Sequence, residues 1–302
     1  MRSSFLAALA ACLTLVTNLQ AQQLVQVTVT SNAPTGGVAL TPLWAGFHNG
    51  SFDSYNGGLS AQPGIESIGE DGDATQLSAD FQAGLTYVQG TGASAVSGQF
   101  NTSQTSGRVD GTIGSPTGPP PIQPGEAVST IFSLDSTQNQ YFSYASMILP
   151  SNDFLAFNGN PLAHDISSVF NGGGPISFNI GTLGTVNDIG TEINDFSTAA
   201  PGGAALSGLF PALGGATGQS GPNVGANENG VVTNVTGNPF AGFLNTPSGA
   251  DLSLFNFNDE NLYANGLATI TISAVPSAVP EPSSITLLGL GLVGAFVRRR
   301  RS

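Results

Sequence analysis

Apolar and polar residues alternate with the two-residue period of a strand in several short stretches, separated by residues that favour turns. In LVQVTVT, Leu24 to Thr30, the residues Val25, Val27 and Val29 fall on one face and Leu24, Gln26, Thr28 and Thr30 on the other, as in a strand with one face against a core. LATITISAV, Leu267 to Val275, repeats the pattern near the other end. Further strands are predicted at TPLWAGF (41–47), YFSYASMIL (141–149), FLAFNG (154–159) and PISFNIG (175–181). One helix is predicted within GIESIGEDGDATQLSADF (64–81), where Ile65, Ile68, Leu77 and Phe81 recur at roughly helical intervals and Gly69 and Gly72 interrupt them. Two stretches read as excursions from the core. They are the proline-rich 106–127 and the glycine-rich, aperiodic 200–232, the latter longer than loops inside a domain usually are. No repeat of solenoid or propeller period is present, so one domain is expected between residues 22 and 278.

Composition agrees with the pattern. Charged residues make up 8% of the chain, and glycine accounts for 41 positions. This argues against a helix bundle and for short strands joined by turns. The expected fold class is all-β: an antiparallel β-sandwich with long loops and one short helix.

Both ends look like addresses. Residues 1–21 have the form of a secretory signal peptide, with Arg2, the apolar run FLAALAACLTLV and a small residue at Ala21. LAAC, Leu9 to Cys12, matches a lipoprotein acylation box, but apolar residues continue beyond it. Cys12 is the single cysteine, so a chain beginning near Gln22 would hold no disulfide and no thiolate ligand. Residues 279–302 carry Pro280, Glu281 and Pro282, then an apolar stretch from Ile285 to Val297, then Arg298 to Arg301. That stretch is short against the roughly 20 residues that span a hydrocarbon core, and the arginines favour the cytoplasmic side. The order of parts closely resembles the PEP-CTERM sorting signal of Gram-negative bacteria. The resemblance implies an exosortase-type machinery as partner, cleavage near the tripeptide, contact with the membrane only through this segment before processing, and a secreted or envelope location. A permanent C-terminal anchor is the alternative.

Charge narrows the partners. The chain carries 6 basic and 19 acidic residues and a net charge of −13, and within 22–278 the only basic residue besides histidine is Arg108. Nucleic acid is therefore an improbable partner. An acidic, lysine-free surface keeps a secreted protein soluble and also suits divalent cations.

Candidate chemistry is sparse. The chain has two histidines, His48 and His164, and lacks G-x-S-x-G, H-E-x-x-H and phosphate-cradling motifs. His48, at a strand end, is read as a hydrogen-bonded structural residue rather than a catalyst. No spacing singles out a carboxylate pair for glycoside hydrolysis, which leaves a polysaccharide-acting enzyme as the rival reading. EDGD, Glu70 to Asp73, lacks the ligand alternation of an EF-hand and is read as a solvated turn. Asp153 is unusual because it sits inside the apolar run MILPSNDFLAF, where an unpaired carboxylate is costly. In NDIGTEIND, Asp188 and Glu192 flank Gly190 and Thr191, a spacing that suits a turn aiming two carboxylates at one point. Asp153 could supply a third to a calcium ion (Ca2+), which takes six to eight oxygens, often from separate segments.

PLWAGFHNGSFDSYNGG, GIESIGEDGDATQL, FSYASMILPSNDFLAF and NDIGTE occur in an order, and with wording, that resembles the spondin N-terminal domain from about Leu24 to Phe196. The resemblance implies a C2-like β-sandwich, bound calcium, and a role in matrix adhesion. Carried over by position, the family's metal carboxylates fall on Asp153, Asp188 and Glu192. Three departures stand out: Glu192 in place of aspartate, Phe154 in place of tryptophan, and the absence of the animal members' cysteines. The sequence thus leads to a non-enzymatic, calcium-stabilised surface or matrix protein, with extracellular polysaccharide or matrix components as partners. A calcium-bridged glycan- or lipid-binding module is a further alternative.

Overall fold

The valines that the alternation turns inward on β1 (Gln23–Ser31), Val25, Val27 and Val29, are all completely buried. The structure is a computed structural model that describes residues 22–88, 99–102, 107–114, 121–149, 151, 153–193, 228–237 and 263–276. Strand β1 pairs antiparallel with β7 (Ala127–Leu134) on one side and β13 (Ala268–Ala274) on the other, and β13 pairs with β10 (Ile176–Ile180). Their order is β10-β13-β1-β7.

A second antiparallel sheet stacks on this one. Its order is β12 (Thr233–Asn234), β11 (Val186–Asp188), β9 (Phe154–Phe157), β8 (Tyr141–Leu149), β3 (Leu43–His48), β6 (Val109–Ile113), and β2 (Ala39–Leu40) pairs with β8. A separate hairpin joins β4 (Leu85–Val88) and β5 (Gln99–Thr102). The mostly β, antiparallel, sandwich-like architecture expected from the sequence is what the structure shows.

The sheets meet through aromatic rings. Phe47 of β3 lies 4.9 Å from Phe132 of β7 and 5.2 Å from Phe142 of β8, measured between centroids. Every residue of β3 and β9 is buried, which a sheet with one solvated face would not allow. The other face of the second sheet is covered by two helices, α1 (Pro63–Asp71) and α2 (Thr75–Gln82). On that side Trp44 meets Phe81 of α2 edge-on at 5.2 Å and donates its indole N–H to Asp110 of β6 at 3.0 Å. A short third helix, α3, covers Ser167–Phe170.

The helical stretch is therefore two helices. The break falls at Gly72, whose φ of 68° caps α1 while its N–H bonds Ile68 O, a helix end that glycine makes without strain. Gly69 continues the helix. The excursion expected at 106–127 also contains structure: β6 pairs with β3, and Ile122 bridges to Leu40. Residues 200–227 of the glycine-rich stretch lie outside the described residues, but its last part is packed into the fold and leads into β12. Val232 is buried and exchanges backbone bonds with Gly58 and Leu59.

Among the described residues no helix is long and apolar enough to cross a membrane. The signal segment 1–21 and the tail 279–302 lie outside the described residues.

Candidate metal centre

Asp153 immediately precedes β9, and Asp188 ends β11. Because β9 and β11 pair with Phe154 opposite Asp188, the two acids come to neighbouring places at one end of the sheet. The chain returns through Glu228, whose N–H donates to Thr191 O at 3.0 Å, and Gly230 N–H donates to Gly190 O at 2.7 Å. Strand β12 then pairs with β11, with Thr233 opposite Asp188. The sheet thereby brings carboxylate oxygens of Asp153, Asp188 and Glu228 within 4.8 Å of one another. Two oxygens on opposite sides of a calcium ion, each at about 2.4 Å, would have that separation.

Each acid is held differently. Asp153 is completely buried, and its Oδ2 accepts the N–H groups of Thr191 at 3.1 Å and Glu192 at 3.3 Å. Its Oδ1 is buried with no hydrogen-bond partner. One oxygen is fixed and the other is offered. Asp188 Oδ1 accepts the N–H of Gly190 at 2.8 Å, the side chain closing its own turn in the manner favoured by aspartate. Asp188 is half-buried and Glu228 is exposed, so an ion here would be shielded by protein on the Asp153 side and open to water on the Glu228 side.

The electrostatics suit a cation. Burial first, and then the negative charges of Asp188 and Glu228, push the Asp153 carboxyl well above the usual range, against the lowering effect of the two backbone donors. A bound cation reverses both raising causes, since it supplies the charge that burial and repulsion penalise. Arg108 does not serve this purpose. Its guanidinium donates to Phe81 O at 2.7 Å and stands over the rings of Phe52 and Phe81.

The structure brings together two of the three residues expected from the sequence, and Glu192 is not among those whose oxygens converge. Glu192 reaches Asp153 with its backbone N–H, while the charges that act on its side chain are those of Glu70, Asp71 and Glu66 on α1. The four-residue spacing from Asp188 suits a turn aiming both carboxylates at one point. Gly190, with φ at 68°, instead turns the chain so that the amides of 191 and 192 face Asp153. Glu228 was missed. The available signal was its isolation as the lone acidic residue between 196 and 250, next to Asn229 and Gly230. Asn229 has a positive φ of 57°.

The remaining candidates lie elsewhere. His48 is completely buried; its Nδ1 accepts the Gly50 N–H at 3.0 Å, so Nε2 carries the proton and faces Ser143 Oγ at 3.0 Å. Burial and then the charge of Arg108 lower its pKa to about 3. His164 stacks on Phe178 at 3.8 Å, and burial lowers it to about 4. In EDGD, Asp73 is exposed and accepts the Thr75 N–H at the start of α2, whereas Glu70 is buried, so the reading as a solvated turn fails for Glu70.

Among known families, residues 278–301 match the PEP-CTERM protein-sorting motif. No curated protein matches the chain, and no family match supports the spondin resemblance of the core. The matched motif makes the tail an exosortase-directed sorting signal, and the protein one destined for the envelope or exterior of a Gram-negative cell.

Proposed function

We propose that this is a non-enzymatic surface or extracellular-matrix protein whose β-sandwich is stabilised by calcium bound between Asp153, Asp188 and Glu228. The observation that carries the reading is the buried Asp153 Oδ1, which has no hydrogen-bond partner and belongs to a carboxylate that converges with those of Asp188 and Glu228. A hard cation with oxygen ligands matches the donor set, and calcium tolerates the irregular, partly water-completed shell that one buried, one half-buried and one exposed carboxylate would leave. Adhesion to matrix or extracellular polysaccharide fits the sorting motif. The exposed side of the site also favours a second reading, in which the ion bridges to an anionic or polyhydroxyl ligand.

Thermal melting tests the metal. A ligand specific for the native state stabilises by about 2.7 kcal/mol at a hundredfold excess over Kd, which is several degrees of Tm in a domain of this size. Calcium should raise Tm relative to chelator, with magnesium a poor substitute. Asp153→Asn should lose most of that response while melting no lower than wild type in chelator, because it also removes a repelled charge. A wild-type Tm indifferent to calcium would refute the proposal.

A further inference from the structure

The helical cover of the second sheet is incomplete where it breaks. Helix α1 ends before Gly72 and α2 begins at Thr75, and the chain between them borders a pocket of about 420 Å³, within the range of about 300–1,000 Å³ usual for small-molecule sites. Pro42, Trp44 and Thr112 form its sheet side, and Asp73, Thr75 and Ser78 its helix side. Trp44 and Thr112 share a face because β3 and β6 pair with these two residues opposite each other. The sheet wall is fixed. The Trp44 ring lies over Gly46, where a Cβ would stand 2.4 Å from it, meets Phe81 edge-on, and donates its N–H to Asp110. Ser78 also donates to Asp110. Asp73, Thr75 and Thr112 are exposed, so the pocket opens to solvent along the side that carries its polar groups.

These groups select a class of ligand. None of the lining residues is basic. Hydrogen bonds from the Thr75 hydroxyl and N–H hold the Asp73 carboxyl below the usual carboxylate range, so it is ionised at neutral pH. An anion would meet that charge, with Asp110 behind Ser78, and find no cation in the wall to offset it. A purely apolar ligand would strip water from a carboxylate and three hydroxyls without replacing its hydrogen bonds. Ionised Asp73 only accepts, whereas the hydroxyls of Thr75, Ser78 and Thr112 both donate and accept. The matching ligand is compact, carries several neighbouring hydroxyls, and has C–H surface to set against the Pro42 ring. We propose that this pocket is a glycan subsite that takes one neutral sugar unit of an extracellular polysaccharide, whose hydroxyls donate to Asp73 and exchange hydrogen bonds with Thr75, Ser78 and Thr112. The subsite rests on the proposed matrix contact and gives it a location. It does not rest on the calcium ion, because β8 separates β9 and β11, beside the metal centre, from β3 and β6.

Trp44 is the single tryptophan of the chain. At 1% exposure it borders the pocket with little surface, but its emission reports occupancy there. Titration of the purified full chain with glucose, galactose, mannose and N-acetylglucosamine, each also as a short oligomer, should give a saturable change in emission with at least one of them and none with glucuronate or putrescine. Asp73→Asn keeps the turn at the start of α2, since asparagine accepts the same Thr75 N–H, and should weaken binding about tenfold, the order expected when a hydrogen-bond acceptor loses its charge. Thr112→Phe, at an exposed strand position that aromatic residues suit, should fill the pocket and abolish binding with Tm unchanged. Wild type should bind equally in calcium and in chelator. No saturable response to any of the sugars overturns the proposal, as does a response that Thr112→Phe leaves intact. Binding of putrescine in place of the sugars would make this a cation site and overturn it too. Sugar binding that needs calcium and disappears in Asp153→Asn would put the ligand on the ion instead. If Thr112→Phe adheres to immobilised polysaccharide as wild type does, matrix contact stands and the pocket falls; sugar binding by a protein whose Tm ignores calcium sustains the pocket and removes the metal.

Discussion

At the scale of single residues, the arrangement is governed by where charge is buried and what meets it. Asp153 and Glu192 are buried acids in acidic surroundings, whereas His48 is a buried base kept neutral by desolvation and by Arg108. The histidine has a consequence for acid stability. Its pKa is about 3 in the folded chain against about 6.5 when exposed, so between those values the unfolded state binds a proton that the folded state does not. Stability must therefore fall as pH drops from about 6.5 towards 3, by at most about 1.4 kcal/mol per pH unit from this group. His48→Gln should flatten that part of the stability profile relative to wild type in denaturant titrations. Parallel profiles for the two proteins would show that His48 titrates normally.

At the scale of elements, the turn from Asp188 to Glu192 and the returning strand form one unit. Gly190 adopts a φ of 68°, and a Cβ there would stand 2.7 Å from Val231 N and 2.9 Å from Val231 O. Both atoms belong to backbone and cannot rotate away. Gly190→Ala therefore combines left-handed strain of roughly 1 kcal/mol or more with displacement of the segment that carries Glu228. The variant should melt lower than wild type and respond less to calcium. A lowered Tm with an undiminished calcium response would mean that Glu228 is not a ligand. Much of this level was legible in the sequence. The strands β1, β3, β8, β9, β10 and β13 follow alternation or apolar runs. Strands β11 and β12, of three and two residues, are too short to carry a period, and exist because their neighbours pair with them.

At the scale of the whole molecule, the sandwich is followed by a sorting tail and preceded by a segment whose sequence has the form of a secretory signal. The matched motif at 278–301 leads to a processing prediction: protein recovered from a native host should begin near Gln22 and end close to Pro280 to Pro282. Intact mass would decide the matter. A mature form that retains Arg298 to Arg301 would favour the permanent anchor. With the terminal arginines removed, Arg108 would be the sole basic side chain besides histidine.

The sequence by itself determined the fold class, the sorting tail and the unusual standing of Asp153, because alternation, ordered motifs and a lone acid in an apolar run are all local features. Tertiary structure alone decided which acids meet. Asp153 and Asp188 are neighbours because β9 pairs with β11, Glu228 joins them because the chain returns beside Gly190, and Glu192 meets Asp153 through its backbone N–H because Gly190 redirects the backbone. Convergence of side chains distant in sequence follows from strand register and from one left-handed residue. Neither leaves a spacing rule in the chain.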